Sequence, residues 1–332
     1  MEAVACATWW RVCLAFGKEI GFDMSEMKLV FLGTGSARPT PQRNTAAVAL
    51  LYGPDALLFD CGEGTQLQIM KSSVRASRFR AICLTHFHGD HVNGLPGLLG
   101  TMGLNDRSEE LTVVGPRGLP QWFQTLRQLK ILAPSFPVDI VEHAEASGAS
   151  VLRGDGWSLS SAPVVHRVPT VGYRFDEDDL RGRFNLDAAR ALGVPPGPLF
   201  GALQRGESVT LDDGRVILPE AVMGETRRGR KIAYITDTRP DDGVVDFVRG
   251  VDVLIHEATY LEEDRAQARQ RFHSTARQAA EIAKAAGVGQ LILTHFSTKY
   301  LRTGPLVREA REIFPATVAA SDFFEWSVPV PE

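Results

Sequence analysis

The sequence of 332 residues has few cysteines, no excess of positive charge and no long hydrophobic run. Its four cysteines form no CxxC pair, which predicts a protein without a disulfide framework, in a reducing compartment. Lysine and arginine number 36 against 40 aspartates and glutamates, and the net charge of −4 argues against nucleic-acid binding through an overall basic surface. A local basic patch or bound metal ions can still make such contacts. The cysteine usage fits a reducing cytoplasm, which is the location we expect. No apolar run approaches the roughly 20 residues that span a bilayer, so we expect no membrane segment.

The N-terminal residues 1–27 differ from the rest of the chain. They include Trp9, Trp10 and a short apolar stretch at 12–16, but they lack the basic start and the apolar length of a signal peptide. We interpret them as an N-terminal extension, for instance from a misassigned start codon, that contributes nothing to catalysis. The alternative is an amphipathic helix that contacts a membrane surface or a second subunit, although it has few basic residues for a membrane surface.

From residue 28 onward, short apolar runs alternate with polar loops and helical patterns. Apolar runs such as 28–32 and 80–84 predict buried strands, and the periodicity over 120–132 predicts a helix. A second helix is predicted over 276–286, closed by Gly287. Repeated strand–loop–helix units predict an α/β fold built in layers, and the chain length suits a single layered domain.

One short loop collects metal-binding side chains. It follows an apolar strand and contains His86, His88, Asp90 and His91. His86 and His88 are two residues apart, so on an extended segment their side chains point the same way. Asp90 and His91 lie beyond a turn at Gly89 and can face a second point a few ångströms away. Because imidazoles and carboxylates grouped in this way suit zinc, the loop can supply ligands to two adjacent metal ions.

This loop, His-x-His-x-Asp-His after a strand, resembles the metallo-β-lactamase superfamily, and its continuation through 93–98 resembles the ribonuclease Z family within it. Further motifs occur in the order of that family: Asp-Cys-Gly-Glu-Gly-Thr-Gln at 60–66, Asp-Thr-Arg-Pro at 237–240, His-Glu-Ala-Thr at 256–259 and His-Ser-Thr at 273–275. The resemblance covers residues 28–326 in collinear order. It implies an αββα sandwich, in which two mixed sheets face each other and helices cover both outer faces. Residues 28–332 would form this domain, with a flexible arm inserted at about 176–230.

The resemblance also implies a metal site with two zinc ions per subunit. The first ion would take His86, His88 and His166, the second would take Asp90, His91 and His295, and Asp237 would bridge them. A shared carboxylate makes chemical sense, because two dications about 3.5–4 Å apart repel each other. Without the resemblance, a lone strand histidine such as His166 is usually structural and a strand-end aspartate is often a cap. Histidine–carboxylate sites accept manganese as well as zinc, so ligand type leaves the metal open.

Catalytic roles are implied for Asp90 and His273. Asp90 would accept a proton from the attacking water, and His273 would be the general acid near the scissile phosphate, oriented by Glu257. Without the resemblance, His273 fits a simple contact at the start of the next helix. The family supports its metal site from behind the ligands with a carboxylate at the position of Asp60. Capping of the helix predicted at 64–71 is an equally good interpretation of Asp60.

Three further residues are less determined by the sequence. Arg174 either reaches a substrate phosphate or forms a salt bridge beneath the site. We expect His143 to be a surface histidine. His256 fits a satisfied strand-end histidine, and neither histidine is given a functional role.

The segment 176–230 departs from the compact pattern. Its stretch 193–201 has too much proline and glycine for a core element, and 210–217 predicts a hairpin. The residues alone predict only an exposed excursion. The resemblance implies a protruding arm that grips tRNA, with Gly197 and Pro198 as candidate substrate contacts.

The implied function is a zinc-dependent endoribonuclease. It would cut the 3′ trailer from precursor tRNA, leaving a 3′-hydroxyl on the tRNA and a 5′-phosphate on the trailer, and the family implies a homodimer. The first alternative is a small-molecule phosphodiesterase or another hydrolase of the same superfamily. The second is a non-catalytic RNA-binding relative, which the complete ligand set argues against because such relatives lose their metal residues.

Overall fold

The computed structural model describes residues 26–143 and 147–331. Sixteen strands lie within these ranges. They are β1 (Met27–Gly33), β2 (Ala47–Tyr52), β3 (Asp55–Phe59), β4 (Phe79–Cys83), β5 (Leu111–Gly115), β6 (Val138–Glu142), β7 (Ala149–Gly154), β8 (Trp157–Pro163), β9 (Val171–Glu177), β10 (Val209–Thr210), β11 (Val216–Ile217), β12 (Lys231–Ile235), β13 (Val253–Glu257), β14 (Gln290–Thr294), β15 (Thr317–Ala319) and β16 (Glu325–Ser327).

Ten α-helices connect and cover these strands in the described ranges. They are α1 (Thr65–Met70), α2 (Gly89–Val92), α3 (Leu95–Leu104), α4 (Leu119–Gln128), α5 (Leu186–Ala191), α6 (Pro198–Gln204), α7 (Asp242–Phe247), α8 (Arg265–Arg271), α9 (Ala276–Ala286) and α10 (Gly304–Arg311). Short 3₁₀ helices occur at Ala76–Arg78, Pro219–Ala221 and Glu262–Asp264. None of these helices is long and apolar enough to cross a membrane.

The strands of the main body form two seven-stranded sheets. The first has the order β16-β1-β2-β3-β4-β5-β6 and the second has the order β15-β14-β13-β12-β9-β8-β7. Both sheets are mixed. In the first sheet β3 to β6 pair in parallel, whereas β1, β2 and β16 pair antiparallel. In the second sheet β12 to β15 pair in parallel, whereas β9 pairs antiparallel with β12. Because parallel strands end at the same edge of a sheet, the loops after β3 and β4, and those after β12, β13 and β14, are brought together.

Three groups of buried apolar side chains define four layers. The central group joins the inner faces of the two sheets, where Phe59 of the first sheet stacks on Tyr234 of the second with ring centroids 5.3 Å apart. A second group packs the outer face of the first sheet against α1, α3 and α4, and a third packs the outer face of the second sheet against α7, α9 and α10. This is an αββα sandwich, and the predicted fold class is confirmed.

Residues Glu177–Arg230 form a separate compact unit. It contains α5, α6 and the two-stranded hairpin of β10 and β11, so the predicted hairpin is present. Seven buried side chains form its own small core, among them Val194, Leu203 and Ile217. At its two ends, the guanidinium of Arg230 and the carboxylate of Glu177 form a buried ion pair, 2.7 Å long.

Local sequence signals predict the elements with different success. The helix at 276–286 occurs as predicted: Thr275 caps it by accepting from the Gln278 N–H, and Gly287 ends it with a φ of 64°. The helix predicted over 120–132 ends at Gln128 instead, and Leu129, which the longer period places on the buried side, is 65 % exposed. Of the predicted extension 1–27, only Glu26 and Met27 lie within the described residues, and Met27 already belongs to β1.

Candidate metal centre

The donor side chains lie on loops at the carboxyl ends of neighbouring strands. Asp60 follows β3, the loop 85–91 follows β4, Asp237 comes two residues after β12, and His295 follows β14. Asp60, Asp237 and His295 have φ values of 57°, 49° and 57°, in the left-handed region that non-glycine residues seldom adopt. Each of these residues therefore lies at the end of its strand or two residues beyond it, where the left-handed backbone changes the direction of the chain.

Two glycines allow the loops after β3 and β4 to approach each other. A Cβ at Gly62 would lie 2.3 Å from the backbone oxygen of Asp90, and a Cβ at Gly94 would lie 2.1 Å from the backbone oxygen of Gly62. The N–H of Gly94 also donates to the Cys61 carbonyl at 2.9 Å. Any larger residue at either glycine would push the metal-binding loop away from the loop that carries Asp60.

The first set of donors comprises His86, His88, His166 and Asp237. His86 Nε2 lies 2.9 Å from His88 Nδ1, and His166 Nε2 lies 3.4 Å from the same atom. The Oδ2 atom of Asp237 is 3.6 Å from His86 Nε2 and 3.7 Å from His166 Nε2. Three ring nitrogens and one carboxylate oxygen therefore converge on one point. This is the arrangement expected if His86, His88 and His166 bind the first ion and Asp237 bridges to the second.

The second set comprises Asp90, His91 and His295. His91 Nε2 lies 3.2 Å from His295 Nε2, and Asp90 Oδ2 is 3.5 Å and 3.6 Å from these two nitrogens. The other oxygen of Asp237, Oδ1, is 3.4 Å from His91 Nε2 and 3.1 Å from His295 Nε2. Asp237 thus directs one carboxylate oxygen at each set, which is the geometry of a bridging ligand.

These distances fit bound divalent cations. Nitrogens that bind a tetrahedral zinc ion at about 2.0–2.1 Å lie about 3.3 Å from one another, close to the spacings in both sets. Burial lowers the pKa of His86, His88 and His166, so these imidazoles are neutral at pH 7 and keep a nitrogen lone pair for a metal. Burial raises the pKa of the Asp237 carboxyl, but the surrounding histidines hold it well below its usual range.

Most of the ring nitrogens that face away from the donor sets have partners of their own. His86 Nδ1 is 3.0 Å from Thr85 Oγ1, His166 Nδ1 is 3.1 Å from the Phe272 carbonyl, and His295 Nδ1 is 3.1 Å from Thr259 Oγ1. His91 Nδ1 is 2.8 Å from Asp60 Oδ2. Burial lowers the pKa of His91, but the carboxylates of Asp60 and Asp237 raise it well above its ordinary value. Such contacts fix the tautomer and orientation of a metal-binding imidazole.

Asp60 does not cap a helix. Gly64 occupies the N-cap of α1, and no side chain caps that helix. The fully buried Asp60 carboxylate instead accepts hydrogen bonds from the Thr85 N–H and hydroxyl, from His91 Nδ1 and from the Tyr234 hydroxyl. The capping interpretation of Asp60 is therefore wrong.

His273 and Glu257 form a buried pair beside the two sets. His273 Nδ1 is 3.0 Å from Glu257 Oε1, which also accepts from the Thr238 N–H at 2.7 Å. Burial lowers the pKa of His273, but the charges of Glu257 and Asp237 raise it to about 9. With Nδ1 engaged, Nε2 is the nitrogen left for a substrate. The imidazolium form is the one that can donate a proton.

Thr259 is a member of this site that the sequence analysis did not single out. Its hydroxyl is 2.5 Å from Glu257 Oε2 and 3.1 Å from His295 Nδ1. It therefore joins the Glu257–His273 pair to His295 of the second donor set. The available signal was its position as the last residue of the His-Glu-Ala-Thr motif, two residues after Glu257.

The remaining predicted residues lie away from the donor sets or in the separate unit. Arg174 donates to the Asp176 carboxylate and to the Phe247 carbonyl, so its guanidinium forms the salt bridge that was the alternative to a phosphate contact. His256 is buried and its Nδ1 is 2.8 Å from the Glu257 carbonyl. His143 is half-buried rather than on the open surface, with its Nδ1 2.6 Å from Ser161 Oγ. Gly197 and Pro198 begin α6 in the unit 177–230.

Comparison with family models and with solved structures identifies the class of protein. Residues 221–296 match the model of the beta-lactamase superfamily domain, and residues 27–128 match the model of the anti-Pycsar protein Apyc1. The structure is similar to that of the metallo-beta-lactamase fold protein YhfI from Bacillus subtilis, with a TM-score of 0.66 and 19% identity over 91% of this chain and 100% of that one. The sandwich and its paired donor sets define a metallo-β-lactamase superfamily protein with a centre for divalent metal.

Sequence relatives narrow this class to one family. The chain is 44% identical over 310 residues to a ribonuclease Z of Acaryochloris marina, covering 91% of this chain and 98% of the relative. It is 47% identical over 297 residues to a ribonuclease Z of Gemmatimonas aurantiaca, covering 88% and 93%. Human tRNase Z, short form, superposes with a TM-score of 0.66 at 28% identity over 92% of this chain and all of that one. The chain belongs to the ribonuclease Z family.

Proposed function

We propose that this endoribonuclease cuts the 3′ trailer from precursor tRNA, leaving a 3′-hydroxyl on the tRNA and a 5′-phosphate on the trailer. Family membership over 91% of the chain supports the substrate. The observation that carries the chemistry is the Glu257–His273 pair, held beside two converging donor sets that share Asp237. A phosphodiester needs both parts: cations to offset the charge on phosphorus oxygens, and an acid to protonate the departing oxygen.

We propose that each subunit holds two metal ions. His86, His88 and His166 would hold one, and Asp90, His91 and His295 would hold the other, with Asp237 between them. Zinc suits the high share of imidazole ligands, and manganese is the alternative that the same ligands accept. When bound, such ions lower the pKa of a coordinated water to about 7 and neutralise charge on the phosphoryl group.

The chain's own residues would then handle the protons. Hydrogen bonds and charges from His91 and His295 hold the pKa of the Asp90 carboxyl well below its usual range despite burial. Asp90 is therefore ionised. In the proposed reaction it accepts the proton of the attacking water. Nε2 of His273 donates a proton to the leaving 3′-oxygen of the tRNA, and the Glu257 carboxylate stabilises the imidazolium before this transfer.

The unit 177–230 is proposed as the arm that binds tRNA outside the site of cleavage. Four of its eight arginines, Arg181, Arg183, Arg190 and Arg205, flank the stretch 193–201, although Arg205 pairs with Glu207 at 2.9 Å and Arg190 lies 3.8 Å from Asp187. Deletion of residues 180–208 tests this role. We expect the loss of precursor tRNA cleavage, with hydrolysis of bis(p-nitrophenyl) phosphate retained, and an equal loss of both activities would contradict it.

A homodimer in the cytoplasm is the proposed state of the protein. The dimer rests on the family resemblance alone. The buried free thiols of Cys61 and Cys83 support a reducing compartment. Size-exclusion chromatography with light scattering on the full chain would distinguish a dimer from a monomer.

The decisive experiment is cleavage of a 3′-extended precursor tRNA by metal-loaded protein. One cut near the discriminator nucleotide is expected, and it should disappear both in the Asp90→Ala variant and after chelation of the metal. If the wild-type protein leaves the precursor intact but hydrolyses bis(p-nitrophenyl) phosphate, the small-molecule phosphodiesterase becomes the better assignment.

A further inference from the structure

An open cleft of about 410 Å³ adjoins His273 on the described main body. It lies outside both donor sets, and its walls include three arginines: Arg239, Arg265 and Arg269. The side chain of Gln278 also lines it. A volume of this size is typical of a site for a small ligand or one unit of a polymer.

The charge of this cleft is positive, although the chain as a whole carries a net charge of −4. Arg265 is paired with Glu262 at 3.0 Å. Among the described residues neither Arg239 nor Arg269 has a carboxylate partner. The cleft has one carboxylate in its wall, that of Asp241, and its Oδ1 already accepts from the Gly243 N–H at the start of α7. Two guanidinium groups are therefore available for an anion.

Arg239 is held in place without losing its hydrogen-bonding edge. Its guanidinium carbon lies 4.0 Å from the centroid of the Phe272 ring, and its backbone N–H donates to the Val165 carbonyl at 3.0 Å. A guanidinium stacked on an aromatic face keeps its N–H groups directed outward in the plane, where they can bind a phosphate through two hydrogen bonds. Phe272 also directly precedes His273 in the chain, so Arg239, which stacks on Phe272, and His273 lie on the same wall of the cleft.

The position of His273 tells which part of an RNA would enter. On the proposed function, on which this step rests, His273 protonates the 3′-oxygen that leaves phosphorus. That oxygen belongs to the last nucleotide of the tRNA product, whereas the phosphate stays with the trailer. The nucleotide that lies against His273, in the adjoining cleft, is therefore on the tRNA side of the cut.

We propose that this cleft binds the nucleotide on the 5′ side of the cut, and that Arg239 and Arg269 bind the phosphodiester immediately upstream of it. The trailer leaves by another route and makes no contact with these two arginines. The cleft is then a specificity site for the product end of the RNA, distinct from the metal centre and from the unit 177–230.

Two short RNAs separate the two sides of the cut. A trinucleotide with hydroxyls at both ends mimics the tRNA side, and a trinucleotide with a 5′-phosphate and a propyl-blocked 3′ end mimics the trailer. Each is measured as an inhibitor of bis(p-nitrophenyl) phosphate hydrolysis by the metal-loaded full chain. Variants Arg239→Gln and Arg269→Ala are compared with Arg308→Ala, which removes one exposed arginine of α10 that does not line the cleft.

The inhibition constant of the tRNA-side trinucleotide should rise about tenfold in each cleft variant, as expected for one charge-assisted phosphate contact. The constant of the trailer mimic should change less than twofold, and Arg308→Ala should change neither. Three results would overturn the proposal. The variants could weaken the inhibition by both RNAs equally, they could weaken the inhibition by the trailer mimic alone, or the tRNA-side trinucleotide could fail to inhibit the wild type at millimolar concentration. If precursor tRNA is cut while the constants stay unchanged, the cleft assignment fails and the proposed function survives; if the wild type leaves precursor tRNA uncut, the proposed function fails.

Discussion

Replacing Asp60 by asparagine should both destabilise the metal-free protein and weaken metal binding. The carboxylate is fully buried and accepts four hydrogen bonds, at 2.8 Å from the Thr85 N–H, 2.9 Å from the Thr85 hydroxyl, 2.8 Å from His91 Nδ1 and 2.9 Å from the Tyr234 hydroxyl. An asparagine has nearly the same shape and tolerates the left-handed φ of 57°. Its amide nitrogen, however, is a donor and would face groups that themselves donate.

The magnitude follows from these contacts. The substitution removes the charge of the carboxylate and replaces at least one of its hydrogen bonds by a contact between two donors. Each hydrogen bond to a charged group is worth about 1.5–3 kcal/mol. Breaking one partner of a buried charged pair costs about 3–5 kcal/mol, and we expect Asp60→Asn to lower the free energy of unfolding by that amount. Because His91 loses the acceptor that orients it, metal affinity should fall about 10- to 100-fold.

Urea denaturation of chelator-treated protein measures the first effect, and titration of zinc against a competing chelator measures the second. Asp139→Asn is the matched control, because Asp139 is exposed on β6 of the same sheet, and its stability should change by less than about 0.5 kcal/mol. If Asp60→Asn costs less than about 1 kcal/mol and leaves zinc affinity within threefold, the argument that Asp60 orients His91 is refuted.

Four further outcomes are expected at the Glu257–His273 pair and at Thr259, which bonds to it. His273→Ala should keep both metals by elemental analysis and lose about 10²- to 10⁴-fold in precursor tRNA turnover; loss of a metal would instead make His273 a ligand. The raised pKa of His273 keeps its imidazole protonated below about pH 9, so cleavage should decline as the pH rises. Bound dications oppose this protonation, and with them the decline should occur at or below pH 9. Glu257→Gln removes the charge that raises the pKa of His273, so the alkaline decline in kcat/KM should move to lower pH. If the decline stays at the same pH in this variant, it reports the titration of another group. Thr259→Val should lower kcat, whereas Thr259→Ser, which keeps the hydroxyl bonded to Glu257 and to His295, should retain most of it; equal loss in both would show that the hydroxyl is not what matters.

Apolar periodicity and ending signals were enough to predict many of the elements. The strand before the metal loop was predicted at 80–84 and lies at 79–83, and the helix at 276–286 has the predicted bounds. These elements carry their own start and stop signals. The helix at Leu119–Gln128 was predicted too long because no glycine or proline marks its end, and periodicity alone continued through Leu129.

Contacts between distant segments could not be read from the sequence. The ring of His91 meets Asp60 across 31 positions and His295 across 204 positions, and local patterns contain no information on such pairings. The resemblance to a family supplied them, by placing whole motifs rather than single residues. Where the family pattern left a residue undetermined, as with Arg174, only its contacts with Asp176 and Phe247 decided between two reasonable interpretations.

The backbone at the three strand ends shows why a hydrolytic centre can be built on this fold. A left-handed conformation at a non-glycine residue costs about 1–3 kcal/mol, and Asp60, Asp237 and His295 all adopt it. Three such costs are a large fraction of the roughly 5–15 kcal/mol that keeps a domain folded. The buried parallel strands before these residues supply the compensating packing, since β3, β12 and β14 are almost entirely buried. The rigid core thus fixes the supporting carboxylate of Asp60 and the two donors Asp237 and His295. The hydrogen bond of Thr259 to His295 and that of His273 to Glu257 then position the remaining groups of the site.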